Sequence, residues 1–141
     1  MAPRIAHVRA VVARHAEATA DNRVFFHPDI PEHRLASALT AYPGVAPDDV
    51  LVLLDNTETG NATEGLLITE DAIHIRNGSA KAQRLALSDL RSVALDGAPE
   101  RVLKLNGQAV LTVLRVCPET MARVAAMLRE IAAGDSTIRA Q

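Results

Sequence analysis

The stretch DDVLVLLDNTETGNATEGLLITEDAIHIRNG, from Asp48 to Gly78, decides how this chain folds. It holds three short apolar runs, Val50–Leu54, Leu66–Ile68 and Ala72–Ile75, which are separated by a polar loop and a tight turn. Apolar runs of this length, bounded by turn residues, are typical of β-strands rather than helices. The stretch therefore predicts consecutive β-strands in the middle of the chain.

The strand pattern continues towards residue 115. Asn77-Gly78 and Asn106-Gly107 are hairpin signals, because both residue types tolerate the positive φ that tight turns need. The second pair is flanked on both sides by alternating apolar residues. The seven predicted strands are Val50–Asp55, Gly65–Thr69, Ala72–Arg76, Gln83–Leu87, Ser92–Leu95, Arg101–Asn106 and Ala109–Arg115.

A helical pattern precedes the strands. Ile5, Val8, Val12 and Ala16 recur on one stripe, which predicts a helix over residues 3–20. A second helix is predicted to begin near Asp29-Ile30-Pro31 and to end at Pro43-Gly44, because Pro fits the first turn and Gly the end of a helix. Its predicted apolar face contains Leu35, Ala38, Leu39 and Tyr42.

The clearest single element is a helix at the end of the chain. Pro118 occupies its predicted first position and Gly134 its predicted end. Its apolar residues recur at the i, i+3, i+4, i+7 spacing of one helix face. They are Met121, Val124, Ala125, Leu128 and Ile131.

The composition of the chain limits the kinds of partner that it can bind. The 141 residues suit one ordinary domain, and the net charge of −2 gives no long-range attraction to nucleic acid or to an anionic membrane. No apolar run is long enough for a transmembrane helix. A single cysteine, Cys117, excludes an internal disulfide and fits a reducing cytoplasm. We therefore expect a cytoplasmic protein that binds neither nucleic acid nor membrane.

Seven short strands followed by one amphipathic helix resemble the layout of a pleckstrin-homology-like domain. The resemblance implies an α+β fold in which two bent antiparallel sheets form a seven-stranded, partly open barrel capped by the C-terminal helix. The two N-terminal helices would lie beside it. The implied division is residues 1–46 as a helical segment packed on the barrel, residues 47–134 as the pleckstrin-homology-like domain, and residues 135–141 as a tail.

Residues 25–132 also resemble a family of small bacterial proteins of uncharacterised function with this fold. The chain departs from the family pattern in the loop 58–63, where a more apolar stretch is expected, and at His74, where an aromatic residue is expected. The features that match are Asp49-Val50-Leu51, Leu54-Asp55-Asn56-Thr57, Glu64-Gly65-Leu66-Leu67-Ile68-Thr69, Ile73-His74-Ile75-Arg76-Asn77, Leu87-Ser88-Asp89-Leu90 and the Leu35–Tyr42 helix.

Catalytic and metal-binding patterns are weak. The loop Asp55–Gly60 begins with an acid and has Gly at its sixth position, as calcium loops do, but Leu66 stands where a bidentate Glu is needed. The sequence also lacks the HExxH zinc pattern and the common nucleotide-binding and hydrolase motifs. We expect no metal, no cofactor and no catalytic residue. Asp55 and Asn56 are expected to hydrogen-bond backbone groups of their own loop.

The best functional hypothesis is therefore a non-enzymatic protein-interaction domain, an adaptor or scaffold whose protein or peptide partner is unknown. Open strand edges and a helix-flanked groove suit an added strand or peptide. His74 alternates with two isoleucines, which predicts that it lies on the outer face of its strand or at a partner surface. The apolar stripe of the first helix could also form a homodimer.

A second hypothesis is a small-molecule-binding or enzymatic domain, with a pocket between the N-terminal helices and the barrel. Phe25, Phe26 and Tyr42 would line this pocket, and His27 or His33 would supply its polar groups. The alternative is that the three aromatic residues simply fill the contact between the helices and the barrel. Phosphoinositide binding is not expected, because the loop 55–64 contains no basic residue.

Overall fold

Two antiparallel sheets and three helices make up the α+β fold of the computed structural model, which describes residues 5–19, 23–78, 80–97 and 101–134. Strands β1–β5 form one sheet in sequence order, strands β6–β8 form the other, and the two sheets do not close into a barrel. The elements are α1 (Ile5–Ala18), β1 (Val24–Phe26), α2 (Glu32–Ala41), β2 (Val52–Asp55), β3 (Gly65–Ile68), β4 (Ala72–Arg76), β5 (Gln83–Ala86), β6 (Val93–Asp96), β7 (Arg101–Leu105), β8 (Gln108–Val113) and α3 (Pro118–Ala133).

All seven predicted strands are present as β2–β8, so the α+β prediction is confirmed. The described residues contain one strand more than predicted, because β1 adds an edge to the larger sheet. Its three residues, Val24–Phe26, pair with Val52–Leu54 of β2. The N-terminal segment therefore contributes a strand to the sheet as well as two helices. The predicted tail, residues 135–141, lies outside the described residues.

One face of the larger sheet forms the main core. Cross-strand partners share a face, so the register places Val52, Ile68 and Ile73 in one row and Leu54, Leu66 and Ile75 in the next. These six side chains are buried together with the inner residues of β6–β8. The main core is aliphatic, as the low aromatic content predicts.

The opposite face of the same sheet is covered by α2. Leu53 and Leu67 are buried there against Ala38 and Tyr42 in a second, smaller apolar cluster. The register continues this row from Leu67 to His74 on β4. The central strands β2 and β3 are thus covered on both faces, which explains why they are continuous apolar runs rather than alternating with polar residues.

Helix α3 buries its predicted stripe completely, since Met121, Val124, Ala125, Leu128 and Ile131 are all buried in the main core. Helix α1 packs on α3 and on β1. Val8, Val11 and Val12 are buried in this contact. Two residues of the stripe that suggested a homodimer, Val8 and Val12, are therefore covered within the chain.

Polar contacts between α1 and α3 meet at one residue. Nε2 of His15 lies 2.9 Å from the carboxylate Oε2 of Glu130, and Nε2 of His7 lies 3.1 Å from the Glu130 backbone carbonyl. Arg14 adds an ion pair to the same carboxylate at 3.5 Å. Side chains from both halves of α1 are therefore held against Glu130, near the end of α3.

Candidate functional site

The outer edge of β6 is the most distinctive feature of the smaller sheet. Among the described residues, β6 pairs only with β7, and the backbone carbonyl of Ser92 accepts a hydrogen bond from the Asn106 amide at 2.9 Å. Backbone groups alternate sides along an antiparallel strand. The backbone amides and carbonyls of Ala94 and Asp96 therefore face β7, whereas those of Val93 and Leu95 face outwards.

The outward-facing backbone groups of Val93 and Leu95 differ in whether they form hydrogen bonds. The Val93 carbonyl accepts a hydrogen bond from Nε of Arg129, on α3, at 3.0 Å. The Leu95 amide and carbonyl have no hydrogen-bond partner among the described residues. An unpaired amide and carbonyl on an exposed edge are the groups to which another strand can bond. The backbone of Leu95 is thus available to form hydrogen bonds with a strand added at this edge.

One flank of α3 lies beside this edge. Ala122 and Ala126 precede Arg129 by seven and three residues, so helical spacing places the three on the same flank. Ala122 and Arg129 are exposed and Ala126 is half-buried. Two of these side chains are single methyl groups, so this flank of the helix carries little side-chain bulk apart from Arg129. We call the outer edge of β6 and this flank of α3 the edge groove.

A second feature is a cleft on the α2 side of the larger sheet, with a volume of about 300 Å³. The cleft lies just beyond the end of α2, where this helix no longer covers β4 and β5. His74 lines it, and burial and the nearby Arg84 guanidinium lower the His74 pKa, whereas the Asp71 carboxylate opposes this shift. The remaining lining residues are Gly44, Val45, Asp49, Thr69, Glu70, Asp71 and Arg84.

Tyr42 lies behind His74, with the two rings edge to face and their centroids 6.4 Å apart. The tyrosine is 1% exposed, and its hydroxyl has no hydrogen-bond partner among the described residues. Burial raises the pKa of this hydroxyl far above its ordinary value. Tyr42 is therefore a neutral, buried side chain of the small apolar cluster that contacts His74, which lines the cleft.

The other residues singled out from the sequence lie apart. Phe25 and Phe26 are neighbours in β1, so they point to opposite faces of the sheet. Phe26 packs against the main core, and Phe25 lies under the Arg34 guanidinium at 4.8 Å. His27 and His33 are exposed. The structure brings Tyr42 and His74 together, but it does not assemble the six residues into one site.

The loop after β2 is organised around Asp55, which is 0% exposed. Its Oδ1 accepts hydrogen bonds from the Thr57 amide and hydroxyl at 2.9 and 2.5 Å, which confirms the predicted loop contact for Asp55. The same prediction is wrong for Asn56, whose side chain bonds to backbone groups of residues 112–115 instead. Its Oδ2 lies 3.4 Å from Arg34 and 3.6 Å from Arg23. Two guanidiniums thus neutralise the carboxylate at the position where a calcium loop would place a ligand. Among residues 5–19, 23–78, 80–97 and 101–134, no three His, Cys, Asp or Glu side chains are arranged to hold a metal.

The sequence predicted β6 as a strand but not its open edge. Strand patterns do not state which neighbour lies on either side, because pairing is decided over long distances along the chain. Helix α3 carried one signal, since helical spacing places Arg129 on the same flank as Ala122 and Ala126.

Comparison with protein-family models, with curated proteins and with solved structures finds no match to this chain. Across the described ranges, no helix has both the length and the apolar character needed to cross a bilayer.

Proposed function

We propose that this chain is a non-enzymatic protein-interaction domain, which captures an extended segment of a partner protein in the edge groove. The observation that carries the proposal is the outward-facing peptide unit of Leu95, whose amide and carbonyl find no partner among the described residues. Strand addition satisfies such groups and gives affinity through main-chain hydrogen bonds.

The arrangement after residue 47 supports a pleckstrin-homology-like fold for residues 47–134. Four of the five strands in the larger sheet, the three strands of the smaller sheet and a final helix follow one another in the order that the resemblance implies. Strand β1 and helices α1 and α2 are then an N-terminal addition to this fold. We assign the protein to the cytoplasm in this proposal, on the ground of its single, unpaired cysteine.

The test is selection of peptides from a displayed library of random sequences, with the full chain as the bait. We expect enriched peptides to bind the unmodified chain and Leu95→Ala, which keeps the amide, but not Leu95→Pro, which removes it. Proline is tolerated on edge strands, where the lost amide faces outwards. Equal melting temperatures of the two variants would show that the loss is not due to unfolding.

Amide hydrogen exchange on the unmodified chain provides the second measurement. When a selected peptide binds, the Leu95 amide should exchange more slowly, because it becomes hydrogen-bonded. The proposal is wrong if no peptide is enriched, or if bound peptides leave exchange at Leu95 unchanged.

The cleft at His74 favours a second candidate, a small-molecule-binding domain. Its volume of about 300 Å³ is at the lower end of ligand pockets, and the half-buried imidazole would be its central polar group. Screening of small polar compounds by NMR would test this candidate. We expect shifts at His74 and Arg84 that disappear in His74→Ala; a screen without such shifts would leave only the interaction function.

A homodimer through α1 remains a proposal of lower rank. It would require α1 to leave α3, because Val8, Val11 and Val12 are buried there. Sedimentation of the full chain as a monomer would rule it out.

A further inference from the structure

The charges along the edge groove differ at its two ends. At the Val93 end, Arg129 is exposed; its Nε bonds to Val93, but its two terminal amino groups have no partner in the described part of the chain. Arg91, also exposed, lies two residues before β6. At the other end, Asp96 pairs with Lys104 at 2.8 Å. The Val93 end is therefore the one that favours a negative charge.

The backbone fixes the register of an added strand. A residue that exchanges hydrogen bonds with both free groups of Leu95 must lie directly opposite Leu95 in an antiparallel pair. The residue two positions later in the partner then lies opposite Val93, on the same face of the extended sheet. Val93 and Leu95 point to the core side, where α3 packs. The partner residue opposite Val93 would therefore face Arg129.

We propose that the segment bound in the edge groove runs antiparallel to β6 and carries an apolar residue opposite Leu95 and, two positions later, an Asp or Glu that pairs with Arg129. This inference rests on the proposed function and specifies its partner. The apolar residue would pack beside Leu95 and the small side chains of Ala122 and Ala126. The carboxylate would accept hydrogen bonds from the free amino groups of Arg129, since guanidinium binds carboxylates with two parallel hydrogen bonds.

A second copy of this chain fits the groove less well. If β6 of a second copy paired antiparallel about Leu95, the residue opposite Val93 would be Gly97. Glycine has no carboxylate, and Arg129 would stay without an acidic partner. The charge at the Val93 end therefore favours a segment from a different protein.

Three synthetic peptides test the inference against the full, isotope-labelled chain by NMR titration. The acidic probe is acetyl-TTTVTETT-amide, in which the acid follows the apolar residue by two positions. The neutral probe, acetyl-TTTVTQTT-amide, replaces the acid by its amide. The third probe, acetyl-TETVTTTT-amide, keeps the charge but moves it to the other side of the apolar residue.

We expect the acidic probe to bind about twofold to fivefold more tightly than the other two, with shifts at Leu95 and Val93. Arg129→Gln should remove this difference, because a glutamine amide can still bond to the Val93 carbonyl but carries no charge. Arg123→Gln is the matched control, since Arg123 is exposed on the same helix but points about 120° away from Arg129 around the helix axis. It should keep the preference.

Equal binding of all three probes at Leu95 would overturn the inference and leave the proposed function intact. Absence of binding by every probe, together with an unenriched peptide library, would overturn both. A concentration-dependent dimer that Leu95→Pro abolishes would show that the occupant is a second copy, against the inference.

Discussion

Asn56 and Thr112 join the two sheets: Nδ2 of the Asn56 side chain donates a hydrogen bond to the Thr112 backbone carbonyl at 2.8 Å. The same side chain accepts hydrogen bonds through Oδ1 from the amides of Leu114 and Arg115, at 2.8 and 3.1 Å. Asn77 adds a contact of the same kind, since its Oδ1 accepts from the Thr112 amide at 3.2 Å. Two asparagines thus connect the larger sheet to β8 where no strand pair does so within the described residues.

Asn56→Ala should lower the free energy of unfolding by about 2–3 kcal/mol, because it leaves three backbone groups at the end of β8 without their partner. Urea denaturation measures the change. Asn61→Ala is the control, since Asn61 is exposed and, among the described residues, its side chain accepts hydrogen bonds only from Thr63 of its own loop. A loss of less than about 0.5 kcal/mol is expected there. Equal losses in the two variants would contradict the bridging role of Asn56.

Asp55→Asn should destabilise the fold by about 2–4 kcal/mol, because it removes the negative charge that two partly buried guanidiniums share. Thermal and urea unfolding both measure the effect. Asp71→Asn offers a matched comparison, since Asp71 also forms an ion pair, with Arg84 at 3.6 Å, but its side chain is 76% exposed. We expect a change of at most about 1 kcal/mol there. A larger effect at Asp71 than at Asp55 would refute this assignment.

Gly65→Ala should destabilise the chain by about 3 kcal/mol or more. Gly65 has φ of +130°, and a Cβ at this position would overlap the Leu54 carbonyl oxygen and lie 3.1 Å from its carbon. Gly107→Ala is the control with the same kind of backbone, since Gly107 has φ of +81° but open space around it. It should cost only about 1–2 kcal/mol. Denaturant midpoints of the two variants separate the clash from the strain.

The stability of the fold should decrease below about pH 6.5, in part because of His74. Burial lowers the His74 pKa in the folded state, so the unfolded chain binds this proton more readily and stability falls as the pH falls. His74→Gln should reduce the slope between pH 7 and pH 5. His27→Gln, at an exposed site, is the control and should keep it. Unfolding curves at several pH values measure the slopes, and an unchanged slope in His74→Gln would exclude the effect.

The elements that the sequence predicted correctly are those with local signals. Asn106 and Gly107 both have positive φ, at 55° and 81°, so the tight hairpin between β7 and β8 forms where the Asn-Gly pair indicates it. The stripe of α3 is buried as its spacing predicts, because one helix contains the whole pattern.

The features that were missed depend on residues far apart in the chain. Strand β1 has only three residues and is held by pairing with Val52–Leu54. The bridge from Asn56 to Thr112 spans 56 residues. Which side of β6 stays open is decided by where β7 and α3 pack. Local patterns do not contain this information, so the edge groove became visible only when the strands were placed in space.

The contacts of His7 and Glu130 bring the two ends of the described chain to one place. A short linker from the end of α3 to the start of α1 should therefore be tolerated, and new termini could be opened in the exposed turn at Gly107. Such a circular permutant would keep the edge groove intact while freeing the ends of the chain from the α1–α3 contact. A tether attached at the start of α1 or at the end of α3 will therefore leave the protein from the same side.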